Sequence, residues 1–217
     1  MPDLPSYFYR SVDKVNISLD EEAKIRGDIE FRLSGDLAVG IRNKTDEPGV
    51  KNMLLSSVFN EIISGIQIDN PEMSGEKDPE SDLVMKTGFS GGNLARKESG
   101  GMLSISATVE PLELTKNYQL KEKREFALFD NMPQRTETEV VITLPDGFSV
   151  ASLPAPLDIK SKYIDYSIAF DTADNKLTIH RKFEKFLLDI QPEEYPEFVK
   201  ICQKIDQFEK KRLTFLK

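Results

Sequence analysis

The 217-residue chain carries one cysteine, Cys202, and one histidine, His180. A thiol beside an imidazole is the minimum for nucleophilic catalysis, in which the base takes the thiol proton and a third group orients the base. That chemistry requires the two side chains to lie within hydrogen-bond reach. With 37 Asp and Glu, paired-acid hydrolysis is the other chemistry the composition permits. No two carboxylates are marked as convergent, and neighbours such as Glu21–Glu22 and Glu193–Glu194 read as solvated. Zinc sites built from cysteine and histidine are excluded by having one of each. The acidic stretch 69–82, DNPEMSGEKDPESD, does not match an EF-hand. Counted from Asp78, the glycine and glutamate positions hold Leu83 and Phe89. The stretch is read as a solvated loop. The glycine pairs of FSGGNLARKESGG match neither G-x-G-x-x-G nor a phosphate loop, so they are assigned to a strand connection. The expectation is no catalytic, cofactor-binding or metal-binding residue.

The elements that would position Cys202 and His180 decide the first case. In DKVNISL and DIEFRL the apolar sets Val15, Ile17, Leu19 and Ile29, Phe31, Leu33 alternate with polar residues, as in half-buried strands. MLSISATV and TETEVVITLP repeat the pattern through Leu103, Ile105, Ala107, Val109 and through Val140, Ile142, Leu144. YIDYSIAF (Ile164, Tyr166, Ile168, Phe170), the turn DTADN and KLTIHRKF (Leu177, Ile179, Phe183) form a β-hairpin. In its second strand His180 alternates away from the apolar set and is expected to face solvent. Cys202 belongs to a helix over about 192–211, opened by Pro192, where Tyr195, Phe198, Cys202 and Ile205 with Val199 form one apolar stripe. A thiol inside that stripe is a small buried hydrophobe with no depression of its pKa. The pair is therefore read as scaffold, not as a nucleophile and its base.

A second helix is expected over about 47–64, capped by Asp46 and Gly65. Val50, Leu54, Val58 and Ile62 share its buried face, with Met53 beside them. LAVGI (Leu37, Val39, Ile41) either extends the sheet or leads into this helix. The fold class that follows is mainly β: an antiparallel β-sandwich with one internal and one C-terminal helix. Residues 1–12, with two prolines, are expected to be an arm or linker. Residues 13–217 form the β-rich domain, either as one body or as two lobes meeting near 116–124.

Charge and hydropathy remove several partner classes. The formal net charge of −8 argues against nucleic acid, and the basic tail KKRLTFLK is read as a solvated helix end. No apolar run reaches the ~18 residues of a membrane helix. MPDLPSYFYRS lacks the basic and apolar segments of a secretory signal. There is no Trp for a sugar platform, and Tyr7, Phe8 and Tyr9 are the aromatic cluster outside the apolar periods. A stand-alone carbohydrate- or peptide-binding sandwich would use that cluster.

Several motifs occur together in one order. After the first strand pair comes LSGDLAVGIRN with Gly35 and Arg42, and later REFALF from Arg124. LPDGFSVASLP follows, with Leu144, Pro145, Gly147, Leu153 and Pro154. A hairpin and IQPEEYPEFVKICQKID, where Tyr195 starts the closing helix, complete the series. From about residue 13 onward the chain resembles the C-terminal β-sandwich region of bacterial exported transglutaminase-like multi-domain proteins, a region of unknown function. The resemblance implies a non-catalytic accessory module and an exported or periplasmic location. It also implies an upstream transglutaminase-like domain as partner. The Cys-His-Asp core of that family has no counterpart among these residues.

Overall fold

Alternating apolar and polar residues send successive side chains to opposite faces, and the chain meets this demand with one large sheet. The computed structural model describes residues 9–45, 49–119 and 123–217. Strands β1 (Tyr9–Leu19) and β2 (Ile25–Gly35) make a hairpin, followed by helices α1 (Asp36–Thr45) and α2 (Val50–Ile62) and the pair β3 (Ile66–Ser74) and β4 (Leu83–Gly91). Next come β5 (Ala95–Lys97), β6 (Leu103–Ser106), a single turn α3 (Leu114–Asn117), β7 (Leu128–Asp130), β8 (Gln134–Thr143), β9 (Ser149–Ser152) and β10 (Leu157–Ile159). The hairpin β11 (Ile164–Ala173) and β12 (Lys176–Lys185), then β13 (Leu188–Ile190), α4 (Tyr195–Glu209) and β14 (Arg212–Leu216) close the chain.

The large sheet has the order β10-β11-β12-β8-β1-β2-β4-β3, so strands from both halves of the sequence share it. β1 runs parallel to β8, whereas its other neighbour β2 and the pairs on either side are antiparallel. β8 arrives after a long connection through several elements, which a parallel pair requires and a hairpin cannot supply. A four-stranded sheet, β5-β6-β14-β9, and the ribbon β13-β7 complete the β structure. The fold is mainly β and sandwich-like, as expected.

One face of the large sheet is buried. Val15, Ile17, Ile29, Phe31, Val140, Ile142, Leu177 and Ile179 join Leu103, Ile105, Leu213 and Phe215 of the small sheet in one continuous core. α2 closes one end, where Phe59 stacks on Phe31 at 5.5 Å, and α4 closes the other. The opposite face is charged. Through the register, His180, Glu139, Lys14, Glu30 and Lys86 stand side by side across five strands. Such a row of cross-strand opposite charges suits a solvated face.

Several local expectations are corrected. The buried row of α2 is Leu55 and Phe59, one residue beyond the expected set, and Met53 is 69% exposed. The apolar arc of this helix is broad, and the aromatic ring, with its larger area, takes the deepest place. Gly49 precedes α2, and Asp46 lies outside the described residues. LAVGI is helical within α1. The first half of the acidic stretch is edge strand β3; the remainder is a loop tied down by Arg42, which donates to the Gly75 and Ser81 carbonyls at 3.0 and 2.6 Å. α4 starts at Tyr195 with Pro196 in its first turn, after a turn at 191–194. The tail is no helix end. β14 sits between β6 and β9 with Leu213 and Phe215 buried, and Arg212 donates to Ser104 Oγ at 2.8 Å. β1 already begins at Tyr9; Tyr7 and Phe8 lie outside the described residues. Gly147, at φ +80°, makes the corner after Pro145 that leads into β9, as only glycine does without strain.

Candidate functional site

Cys202 and His180 are held apart by the fold. Cys202 is buried in the α4 stripe, and burial, reinforced by Asp206, pushes its thiol up to about 12. α4 covers the sheet face onto which Arg181 projects. His180, the adjacent residue of β12, therefore points to the opposite, charged face. There it lies 3.6 Å from Glu139 and 3.4 Å from Asp171. The two groups share neither a face nor a cleft.

The chemistry gathers instead at the other end of the buried sheet face, where the strand period continues but the residue types change. On β1 the inward set runs Asp13, Val15, Ile17; on β8 it runs Thr136, Thr138, Val140; on β12 it runs Ile179, Arg181, Phe183, Lys185. Burying such groups demands partners. Arg181 and Glu209 of α4, 4% and 1% exposed at the side chain, pair at 3.0 Å. Arg181 also donates to the Glu110 carbonyl at 2.6 Å and to Thr138 at 3.4 Å. Glu209 further accepts from the Tyr166 hydroxyl at 3.1 Å and the Leu112 amide at 2.6 Å. Asp206, one turn earlier, accepts from the amides of Leu114 and Thr115 and so anchors the first turn of α3. Asp13 accepts from Ser11 and Thr138, and desolvation still raises its carboxyl to about 6, with Arg181 opposing.

A cleft of about 340 Å³ opens beside this cluster, lined by Glu110, Tyr118, Asp130, Gln134, Arg181 and Lys185 among others. Its second ion pair joins Lys185 to Asp130 at 2.5 Å. Tyr118 donates to the same Asp130 oxygen at 3.0 Å, and the Met132 amide donates to the other at 2.9 Å. Burial works to raise Asp130, but the bonds from Lys185 and the Met132 amide outweigh it and hold the carboxyl below the usual range. Glu110 is different. Its carboxylate makes no hydrogen bond or ion pair among the described residues. Although the residue stays open to solvent, desolvation is the largest influence on its carboxyl and raises it. Arg181 opposes, and Glu209 and Glu61 add to the rise. Among the described residues no His, Cys, Asp or Glu cluster fits a metal ion.

The apolar reading of the strands passed over Arg181, Asp13 and Lys185. Their signal was phase: each stands two residues from a buried apolar neighbour on its own strand. Glu110, Tyr118 and Asp130 lie in connections and carry no comparable signal.

A family model described as a "Domain of Unknown Function with solved-structure structure (DUF3858)" matches residues 103–215, just over half of the chain. No curated protein matches. A solved structure from Parabacteroides distasonis ATCC 8503, described as "a putative protease", is similar at 17% identity with a TM-score of 0.39. The likeness covers 44% of this chain and 19% of that one, so the chain spans about a fifth of that protein.

Proposed function

The chain belongs to the DUF3858 family of domains of unknown function, and from that premise we propose that it is a non-catalytic accessory module of an exported, transglutaminase-like protein, serving to bind a partner segment. The observation that carries this reading is that the cleft's cations are already engaged. Arg181 is neutralised by Glu209 and Lys185 by Asp130, an arrangement that holds a binding surface in shape. The sealed thiol supports the same reading. So do the motifs LPDGFSVASLP and IQPEEYPEFVKICQKID, which build the β8–β9 corner and the entry to α4. The exported location and the upstream catalytic partner are parts of the same proposal.

A hydrolytic reading has one observation in its favour. Glu110 is raised and Asp130 lowered in a single cleft, the pattern of an acid beside a carboxylate base. Against it, Lys185, Tyr118 and the Met132 amide already occupy both oxygens of Asp130. Such a carboxylate is a poor base or nucleophile. The isolated chain, assayed with fluorogenic peptides, esters, aryl glycosides and amine acyl acceptors, is expected to give rates equal to buffer. When a separately produced transglutaminase-like core is added, native mass spectrometry is expected to show a binary complex. Saturable turnover that Glu110→Gln abolishes would establish the hydrolytic reading instead.

A further inference from the structure

We infer that the cleft recognises a lysine or arginine side chain carried on an extended polypeptide, with Glu110 as its counter-ion; this deepens the partner-binding reading and rests on it. Of the carboxylates that line the cleft, Asp130 faces Lys185, and beneath the cleft Glu209 faces Arg181; among the described residues Glu110 is the lining carboxylate with no ion-pair partner. Two side-chain amides that line the cleft with it have oxygens to offer. The Asn117 amide already gives its Nδ2 to the Leu112 carbonyl at 2.9 Å, and Gln134 turns its Nε2 toward Thr136 at 3.5 Å. The Oδ1 and Oε1 of these amides therefore lack a described donor, and both residues line the cleft with Glu110. One carboxylate and two amide oxygens are the complement of an ammonium or guanidinium group, which only donates.

The cleft continues outward, sharing Asn117, Tyr118 and Asp130 with a groove lined by Phe129 and Met132. Phe129 and Met132 are 67% and 51% exposed. Phe129 projects from the outer face of the β7–β13 ribbon, whose inner residues Leu128, Leu188 and Ile190 are buried. An exposed apolar rim joined to a cleft with one carboxylate outside its ion pairs fits a chain that presents a basic and a large apolar side chain in succession, and a free small amine would leave the rim bare.

The test uses the whole chain and three blocked peptides in which a phenylalanine and a lysine are separated by one, two or three alanines. Each has a counterpart with norleucine in place of lysine, and n-butylamine serves as the bare cation. Binding is followed by NMR of backbone amides. At least one lysine peptide is expected to saturate, shifting Asn117 and Tyr118, with its norleucine counterpart weaker by about tenfold or more. Glu110→Gln, which alters a side chain with no described hydrogen bond or ion pair and keeps the backbone carbonyl that Arg181 bonds, is expected to bring the two to equal affinity. Phe129→Ser with Met132→Ser is expected to weaken the peptides and leave n-butylamine unchanged. No saturation up to about 5 mM, equal affinity for lysine and norleucine peptides, or indifference to Glu110→Gln overturns the inference; n-butylamine binding as tightly as peptide overturns its polypeptide half. Mass spectrometry of the recovered peptide separates the two claims. Intact but unbound peptide sinks only this inference, whereas cleaved or acyl-transferred peptide sinks the non-catalytic reading itself.

Discussion

The two ends of the large sheet's buried face are built by the same strands in the same phase, yet they solve different problems. Toward one end β1, β8 and β12 offer Val15, Ile17, Val140, Ile142, Leu177 and Ile179, whose burial is favourable by itself. Toward the other they offer Asp13, Thr138, Arg181 and Lys185, which are tolerable inside only because α4, the 110–118 connection and β7 bring partners. The apolar end needs only something to cover it. The polar end needs particular atoms at particular distances, and where its cover stops a cleft remains. The comparison teaches that the candidate site is a by-product of polar residues placed in core phase.

The largest expected break lies at the polar end. Arg181→Met strands Glu209 in the interior and is expected to cost about 3–5 kcal/mol in urea unfolding. Adding Glu209→Gln is expected to return about 2 kcal/mol, because a neutral side chain tolerates burial better than an unpaired charge. At the apolar end Ile142→Ala removes a fully buried side chain, with an expected loss of about 3 kcal/mol. Here no second substitution on α4 restores it.

A smaller effect distinguishes the ends by pH. The carboxyl of Asp13 is raised in the fold to about 6 from 3.8. Below the lower value it is protonated in both states and costs nothing. As pH rises to about 6 the unfolded chain ionises first, so stability falls, and the penalty is complete above that. Asp13→Asn is therefore expected to raise stability by about 2 kcal/mol at neutral pH and by nothing below about pH 4. The measurement is a series of thermal melts across that range. On the charged outer face, His180→Ala is expected to stay within about 0.5 kcal/mol of the parent, since its side chain is half-exposed and its two carboxylate neighbours are solvated.

Much of this fold was legible because period is a local property. The strand sets through Val15, Val140, Ile164 and Leu177, the outward His180 and the sealed Cys202 all followed from alternation or helical spacing. What escaped was residue type within phase. Arg181 stands between Ile179 and Phe183 and was stepped over, because apolar patterning assigns an arginine to the surface. The partner that makes its burial tolerable, Glu209, is 28 positions away on another element. The tail failed for a related reason: Arg212 looked like a helix-end cation, but its hydrogen bonds go to Leu94, Ser104 and Ser106, which sequence distance hides. α2 shows the limit from the apolar side, since seven apolar residues define a broad arc and leave its deepest row to tertiary contact.

Among the described residues, Glu110 is the acid of this cleft with no ion-pair partner, and the other charges that line the cleft are closed in pairs. Carbon-13 NMR titration of the side-chain carboxyls measures this directly, with and without a lysine peptide. Glu110 is expected to titrate above the ordinary glutamate range and to move down when the peptide binds, while Asp130 stays low in both titrations. A Glu110 that titrates at its ordinary value and ignores the peptide, or that titrates in step with Asp130, would contradict it.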